Sequence, residues 1–305
     1  MKKIIAFILF LILIGYIYFI FINNEDQNQL FLNKEEIMEV HFINMGRNDA
    51  IVIKTYDNVI VIDGGRYRDG DIIVEYLKTL DITHIDALIG SHMHFNHIQA
   101  HARILQNFTV DKLYYPHELE LCLEEIMCDT NDIRYILDEI NNQNKIANIM
   151  RLNDVIEIGP MKIKVLGPIE FGTFEEHHFP QNFNSLNFIL TFGNTRFFFT
   201  GDGMQEENIL LKFSEKDLRV DMFQHPYHGE QSLSQEFIER ISPRYVIETH
   251  HTSQLANQNQ RNSEYYDNIG ATTLYFNTNE NIIFLSDGYK VTFKRQILEQ
   301  ILNTR

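Results

Sequence analysis

The chain has 305 residues, which is long enough for one large domain or two smaller ones. Hydrophobic residues make up 44% of it, so a sizeable core can form. The formal net charge is −16, with no basic run or arginine-rich arm, and this argues against a dedicated binder of long nucleic acid. Two cysteines, Cys122 and Cys128, are too few for a disulfide scaffold. They are either small buried side chains or one local disulfide.

The first 22 residues have the pattern of a membrane anchor. An almost unbroken apolar run over residues 4–22 follows Lys2 and Lys3, and its length matches a hydrocarbon core of about 30 Å. No small-residue cleavage motif follows it, which favours an uncleaved transmembrane helix over a removed signal peptide. Because the positive charges precede the run, the positive-inside rule predicts a single-pass protein of the cell membrane with a cytoplasmic N-terminus. Residues 23–36 are then a polar tether, and residues 37–305 an extracytoplasmic domain.

Short apolar runs, many of them β-branched or aromatic, predict the strands of this domain. They cover residues 40–44, 50–54, 59–62, 85–90, 161–166, 186–192, 195–200, 219–223, 245–249, 273–277, 282–286 and 290–293. Helical patterns predict helices over residues 71–80, 98–106, 118–127, 133–141, 206–213, 234–241 and 263–269. Gly193-Asn194 between two predicted strands indicates a hairpin. This order of elements is typical of one α/β domain with helices over the outer faces of two sheets.

Three histidines, His92, His94 and His97, fall within six residues directly after the predicted strand 85–90. Alternate side chains of an extended segment share a face, and a helix beginning near Asn96 brings His97 round to the same place. Clustered imidazoles are typical ligands of a metal ion. Two later groups also follow predicted strands, where loops carry chemistry on a rigid scaffold. They are Thr200-Gly201-Asp202 and His225-Pro226-Tyr227-His228-Gly229.

The order of these groups resembles that of the metallo-β-lactamase fold superfamily, and most closely the hydrolase domain of ComEC-type competence proteins. The resemblance runs over residues 39–294. It rests on the opening segment 40–50, the segment 59–65 with Asp63-Gly64-Gly65, the histidine run, Asn184-Ser185-Leu186 with Thr200-Gly201-Asp202, and His228-Gly229. Any one of these motifs alone is a weak signal, but five in order predict the fold strongly.

The resemblance implies a four-layer αββα sandwich, here preceded by one N-terminal transmembrane helix, with a metal pair, usually zinc, at the rim of the sheets. His92 and His94 are then expected to hold the first metal, and His97 and His228 the second. Asp202 is expected to bridge the two metals. Asp63 is expected to steady the histidine run, and the catalytic set implied by the resemblance is Asp202, Asn96 and Asp63.

The chain departs from the family pattern at several positions. Asn96 replaces an aspartate, and a neutral amide binds a divalent cation more weakly than a carboxylate and cannot take up a proton. We therefore expect one or two zinc ions, with the second held weakly. Asn44, Arg47 and Asn48 differ in the opening motif, and Tyr227 replaces the first histidine of the His-His-Gly motif. Further candidate ligands are His225, His177, His178 and His250.

Together these features predict a membrane-anchored metal-dependent hydrolase. The resemblance indicates that its substrates are small molecules, namely phosphoesters or nucleotides. The family chemistry is attack by a metal-activated water. Asn96 motivates an alternative, a catalytically weakened fold that serves as a binding or assembly module at the cell surface. Fold resemblance does not decide between the two.

Overall fold

The computed structural model of the protein describes residues 36–46, 48–123, 130–173, 180–251, 260–277 and 279–297. The predicted anchor, nearly all of the predicted tether and Arg47 lie outside these residues. Across the described part of the chain, no helix is long and apolar enough to cross a membrane. The predicted divisions of the chain at residues 22 and 36 stay predictions.

The first sheet has eight strands, numbered in chain order, with the order β15-β14-β1-β2-β3-β4-β5-β6. They are β1 (Met38–Phe42), β2 (Ala50–Lys54), β3 (Val59–Asp63), β4 (His84–Ile89), β5 (Thr109–Pro116), β6 (Ala147–Met150), β14 (Glu280–Ser286) and β15 (Val291–Ile297). The run β3-β4-β5-β6 is parallel, and the other pairs are antiparallel. The carboxyl ends of β3 and β4 therefore meet at one edge of this sheet.

The second sheet has seven strands in the order β13-β12-β11-β10-β9-β8-β7. They are β7 (Val155–Ile158), β8 (Met161–Gly167), β9 (Asn187–Phe192), β10 (Thr195–Phe199), β11 (Met222–Gln224), β12 (Tyr245–His251) and β13 (Thr272–Phe276). The hairpin predicted at Gly193-Asn194 joins β9 to β10, with Phe192 opposite Thr195. From β10 to β13 the strands are parallel, so their carboxyl ends also share one edge.

Helices cover both sheets. They are α1 (Gly70–Thr79), α2 (Phe95–Ile98), α3 (His101–Asn107), α4 (Glu118–Leu123), α5 (Thr130–Asn142), α6 (Pro180–Phe183), α7 (Glu206–Lys212), α8 (Glu215–Leu218), α9 (Gln235–Ile241) and α10 (Gln260–Asn268). One apolar cluster joins α1, α3 and α5 to the first sheet, and another joins α7 and α9 to the second. In α1 and α9 the buried residues recur every three to four positions, as an amphipathic helix requires.

The two sheets also contact each other through aromatic rings. The Phe42 ring of β1 lies 6.2 Å from the Phe199 ring of β10, and Tyr245 of β12 lies 5.7 Å from Phe284 of β14, between ring centroids. Strands in both sheets are buried on both faces, which explains their continuous apolar runs. The result is a mixed α/β fold with two sheets.

Every predicted strand overlaps an observed one, although β11 begins at Met222 and not at residue 219. The predicted helices are confirmed as far as the described residues extend, except that residues 98–106 form the end of α2 and most of α3 and not one helix. The short helices α6 and α8 were not predicted. Three strands were not predicted, β5, β6 and β7. The sequence of β5 carries Asp111 and Lys112, while β6 and β7 are only four residues long, so none shows a clear apolar signal. Cys122 is buried and disulfide-bonded, so it is not a free thiol; Cys128 lies outside the described residues.

Candidate metal centre

The candidate ligands lie where parallel strands of both sheets end. Asp63 ends β3, the histidine run follows β4, and Asp202 follows β10. A backbone hydrogen bond from Leu186 N to Ser91 O, 2.8 Å long, ties the second sheet to the histidine loop. Loops at the carboxyl ends of parallel strands are a common location for ligand sites, and here two such edges contribute to one site.

The histidine run converges as the sequence predicts. His92 Nε2 and His94 Nδ1 are 3.0 Å apart. The helix expected near Asn96 begins at Phe95, and its first turn carries His97 toward the same point, with the His97 ring centroid 4.1 Å from that of His92. Three imidazoles from one short segment therefore face a common centre.

Asp202 lies at the middle of the cluster. Its Oδ2 is 3.9 Å from His92 Nε2, while its Oδ1 is 3.2 Å from His97 Nε2 and 3.5 Å from His228 Nε2. Two groups of ligand atoms result, His92, His94 and Asp202 in one and His97, Asp202 and His228 in the other, each with its atoms within 4.8 Å of one another. Asp202 would therefore be a ligand for a cation in either group.

Glycine on either side of Asp202 allows this close approach. Gly201 has a φ of +57°, a left-handed conformation that costs little only in glycine, and a Cβ there would lie 2.9 Å from the Ser91 Cβ. A Cβ on Gly203 would lie 1.9 Å from the backbone oxygen of Asn182. The sequence Gly-Asp-Gly thus packs the Asp202 loop directly against the histidine loop.

Neighbouring side chains orient the His92 and His97 imidazoles through contacts with their Nδ1 atoms, which face away from the centre of the cluster. Asp63 Oδ2 lies 2.8 Å from His97 Nδ1 and 2.7 Å from the Ser91 hydroxyl, and Asp63 Oδ1 accepts a 2.7 Å bond from Ser91 N. The Ser91 hydroxyl also lies 3.0 Å from His92 Nδ1. Such partners fix the tautomer of a metal-binding histidine and leave Nε2 for the ion.

His228 is oriented in the same way by residues that the sequence did not single out. Its Nδ1 lies 3.0 Å from the Thr249 hydroxyl and 3.3 Å from Asp49 Oδ1. Asp49 is fully buried, and its other oxygen accepts a 2.8 Å bond from Gln224 Nε2. Its place at the end of the opening motif, one residue before β2, was the only local signal for this role.

The electrostatics of the cluster follow from burial and mutual contact. Burial lowers the pKa of His92 well below its usual value and that of His94 to about 4. Burial acts in the same direction at His97, but neighbouring carboxylates, led by Asp202, outweigh it and raise the pKa well above the usual value. At Asp202 burial acts to raise the pKa, but the charges of His228 and His97 outweigh it and lower it well below the usual range. The cluster therefore holds protons that a divalent cation can displace.

The residues present fit a divalent metal. His97 Nε2 and Asp202 Oδ1 are buried and have no hydrogen-bond partner, although they are only 3.2 Å apart. Buried polar atoms are rarely left without a hydrogen bond, so two that face one point fit a bound cation. Imidazole nitrogens with one carboxylate are a donor set that suits zinc and similar divalent ions.

A cavity of about 300 Å³ opens onto this cluster. Asn96, at the position that departs from the family pattern, lies on its wall rather than in the buried centre. Asn182 is a second neutral amide there, and it interacts with His94. Its location two residues before the Asn184 motif gave no indication of this contact. The cavity is lined by Arg66, His94, Phe95, Asn96, Asn182, Asp202, Tyr227 and His228.

The remaining candidates do not join the cluster within the described residues. His225 is buried beneath it, where Nε2 donates to Gln231 O at 2.7 Å and Nδ1 accepts from the Tyr266 hydroxyl at 2.9 Å. Both of its nitrogens are therefore used by the protein. His177, His178 and the side chain of His250 lie outside the described residues.

The comparison with protein families agrees with the geometry. Residues 44–241, about two thirds of the chain, match the model of the metallo-beta-lactamase superfamily. The chain belongs to the metallo-beta-lactamase superfamily, whose fold binds divalent metal ions. No curated protein matches the chain.

Solved structures show the same fold at low sequence identity. The metallo-beta-lactamase fold protein YhfI from Bacillus subtilis is 13% identical, with a TM-score of 0.55 over 83% of this chain and 100% of that one. A variant of the CmlA beta-hydroxylase is 12% identical, with a TM-score of 0.50 over 83% of this chain and 54% of that one. A diphosphatase of the PhnP family is 12% identical, with a TM-score of 0.48 over 82% of this chain and 98% of that one. Such identities show at most the fold, and a shared fold does not define the reaction.

Proposed function

We propose that the protein is a metal-dependent hydrolase of phosphoester or nucleotide-type substrates, with zinc as the metal. The observation that carries this proposal is that two buried atoms 3.2 Å apart, His97 Nε2 and Asp202 Oδ1, make no hydrogen bond and lie among inward-facing imidazole nitrogens. His92, His94 and Asp202 would hold one ion, and His97, Asp202 and His228 a second. A bound divalent ion supplies Lewis acidity and lowers the pKa of water toward neutrality.

The residues of the chain position the reacting groups. Asp202 holds its carboxylate between the two groups of imidazoles, and Asp63 keeps Nδ1 of His97 engaged so that Nε2 faces inward. Asn96 can contact a substrate or ligate a metal through its amide oxygen, but an amide accepts no proton. A proton released in the reaction must therefore leave by another group or by water in the cavity.

Three finer inferences accompany this function. The ring contacts between the sheets and the helix cluster on each of them support a four-layer order, helices–sheet–sheet–helices. The five ordered motifs support a ComEC-like branch of the superfamily.

The apolar run at residues 4–22 supports a membrane anchor, and a disulfide at Cys122 is consistent with an oxidising compartment outside the cytoplasm. Carbonate extraction of membranes and protease treatment of intact cells would test the last inference; release of the chain by carbonate would refute the anchor.

A second candidate function is a surface binding or assembly module, and Asn96 is the observation that favours it. The two functions differ in metal content and turnover. The experiment is metal analysis of the full-length chain after zinc loading, together with assay of bis(p-nitrophenyl) phosphate. Tightly held zinc with turnover supports the hydrolase, whereas zinc at trace level refutes it.

Asn96→Asp provides a sharper test of the second metal position. A carboxylate in place of the amide should raise the affinity for the second ion, because it adds a negative charge to the ligand set. His225→Phe is the matched control, since both nitrogens of His225 are engaged with the protein away from the cluster. Unchanged occupancy in Asn96→Asp would show that residue 96 does not contact the second metal.

A further inference from the structure

Arg66 lines the cavity that opens onto the metal cluster. It follows Asp63-Gly64-Gly65 directly, so the loop that orients His97 also delivers this side chain. Backbone bonds from Gly65 N to His97 O, 3.0 Å, and from Ala100 N to Gly65 O, 2.9 Å, hold this loop against the helix that carries His97. The position of Arg66 is therefore coupled to that of the metal ligands.

The Arg66 guanidinium has no anionic partner among the described residues. Its Nε is buried and makes no hydrogen bond, and the guanidinium carbon lies over the Phe95 ring, 4.8 Å from the ring centroid. An aromatic face orients a cation but does not neutralise it. The chain has a net charge of −16, and yet this half-buried arginine has no carboxylate partner. This arrangement favours neutralisation of the guanidinium by an anion bound from solvent.

The other groups around the cavity leave room for that anion. Of the described residues that line it, Asp202 is the one carboxylate, and it is turned toward the imidazoles of His97 and His228. Asn96 and Asn182 on the wall are neutral. An aspartate at position 96 would place a second carboxylate in the same cavity as Arg66, whereas the asparagine adds no charge there.

We propose that Arg66 binds a non-reacting, negatively charged oxygen of a small phosphoester and so selects anionic over neutral substrates at this site. The inference rests on the proposed hydrolase and names its substrate class. A planar guanidinium suits two oxygens of one phosphoryl group better than an ammonium does. A cavity of about 300 Å³ is at the small end of ligand sites, which favours a small ester over a polymer.

The direct test measures binding of inorganic phosphate to the full-length chain by calorimetry, with and without zinc. Arg66→Gln should weaken binding by about tenfold or more, since a charged hydrogen bond to the anion is lost. Arg66→Lys should lose less, because it retains the charge. Arg68→Gln is the matched control: it removes the same charge two residues away, from a side chain that is 73% exposed and pairs with Asp69. It should bind phosphate as the unmodified chain does.

A second measurement excludes a merely structural role. In the zinc-loaded chain, Arg66→Gln should lower kcat/KM for bis(p-nitrophenyl) phosphate by about tenfold or more and leave that for neutral p-nitrophenyl acetate unchanged. An equal loss for both esters, or equal phosphate binding by Arg66→Gln and the unmodified chain, would overturn the inference. So would absence of phosphate binding to the unmodified chain.

Metal content separates this inference from the function on which it rests. Zinc should remain at the unmodified level in all three variants, because Arg66 and Arg68 are not ligands. Failure of the unmodified chain to hold zinc refutes the hydrolase, while the phosphate measurement without zinc still decides the role of Arg66. Normal zinc content with unchanged phosphate binding refutes only the role of Arg66.

Discussion

Glu118 is a buried carboxyl group directly beneath the histidine run, and it gives the fold a pH dependence that can be measured. Its side chain is fully buried at the start of α4. One oxygen accepts a 3.2 Å bond from Met93 N, between His92 and His94, and the other has no partner. Burial raises the pKa of Glu118 from its ordinary 4.5 to about 8, although the Met93 bond acts against this.

The magnitude follows from proton linkage. Between these two pKa values the folded chain holds a proton on Glu118 that the unfolded chain has released, so the free energy of unfolding falls as the pH rises. The slope is about 1.4 kcal/mol per pH unit, which amounts to about 3.5 kcal/mol between about pH 5 and about pH 8. The contribution is complete below the unfolded pKa and is lost as the pH rises through the folded one.

Glu118→Gln removes this dependence because an amide does not titrate. Its carbonyl oxygen can still accept from Met93 N, and the unpaired NH₂ adds a cost that is the same at every pH. We expect the stability of the variant relative to the unmodified chain to rise by about 3.5 kcal/mol over this pH range. Urea unfolding of the full-length, metal-free chain checks this. Glu207→Gln, which removes an exposed carboxylate on α7, is the control.

A difference between Glu118→Gln and the unmodified chain that stays constant from about pH 5 to about pH 8 would refute the reasoning. It would mean that Glu118 ionises in the folded chain as easily as in the unfolded one, and that burial at this position does not exclude water.

Three other substitutions test the site. Asp63→Asn should lower zinc affinity about 10- to 100-fold, measured by chelator competition, because His97 loses the carboxylate that orients it. Gly201→Ala should cost about 1–3 kcal/mol in urea unfolding, since alanine is strained at a φ of +57°. A Gly201→Ala chain as stable as the unmodified one would contradict that conformation. His225→Phe should leave the zinc content unchanged and lower stability by about 2 kcal/mol or more, because the Tyr266 hydroxyl loses a buried partner. Loss of zinc in this variant would make His225 a ligand after all.

Much of the candidate site could be predicted because its candidate ligands are local in sequence. His92, His94 and His97 lie in one short segment whose strand-to-helix geometry brings them together, and Asp202 and His228 each follow an apolar strand. The histidine-run signal depends only on backbone periodicity and on which atoms bind metal ions, whereas the choice of His228 over His225 came from the resemblance to the superfamily. The strands with continuous apolar runs were predicted for the same reason, since burial on both faces is visible in the sequence.

The supporting residues could not be predicted because their partners are distant in sequence. Asp49 contacts His228 and Gln224, and Glu118 contacts Met93, across loops that only the packed sheets bring together. A carboxylate or amide looks the same in a sequence whether it is solvated or buried. Its role depends on contacts that local patterns do not encode.

For the same reason, the roles of Asn96 and His225 depended on tertiary structure. The sequence by itself determined the superfamily and the two-sheet α/β class, and it singled out the central candidate ligands, because these follow from local patterns in a fixed order. Only the fold placed His225 against Tyr266 and Asn96 on a cavity wall that it shares with Arg66. Side chains on separate elements acquire a common environment only when the sheets pack, and the environment decides whether a group binds a metal, a substrate or the protein itself.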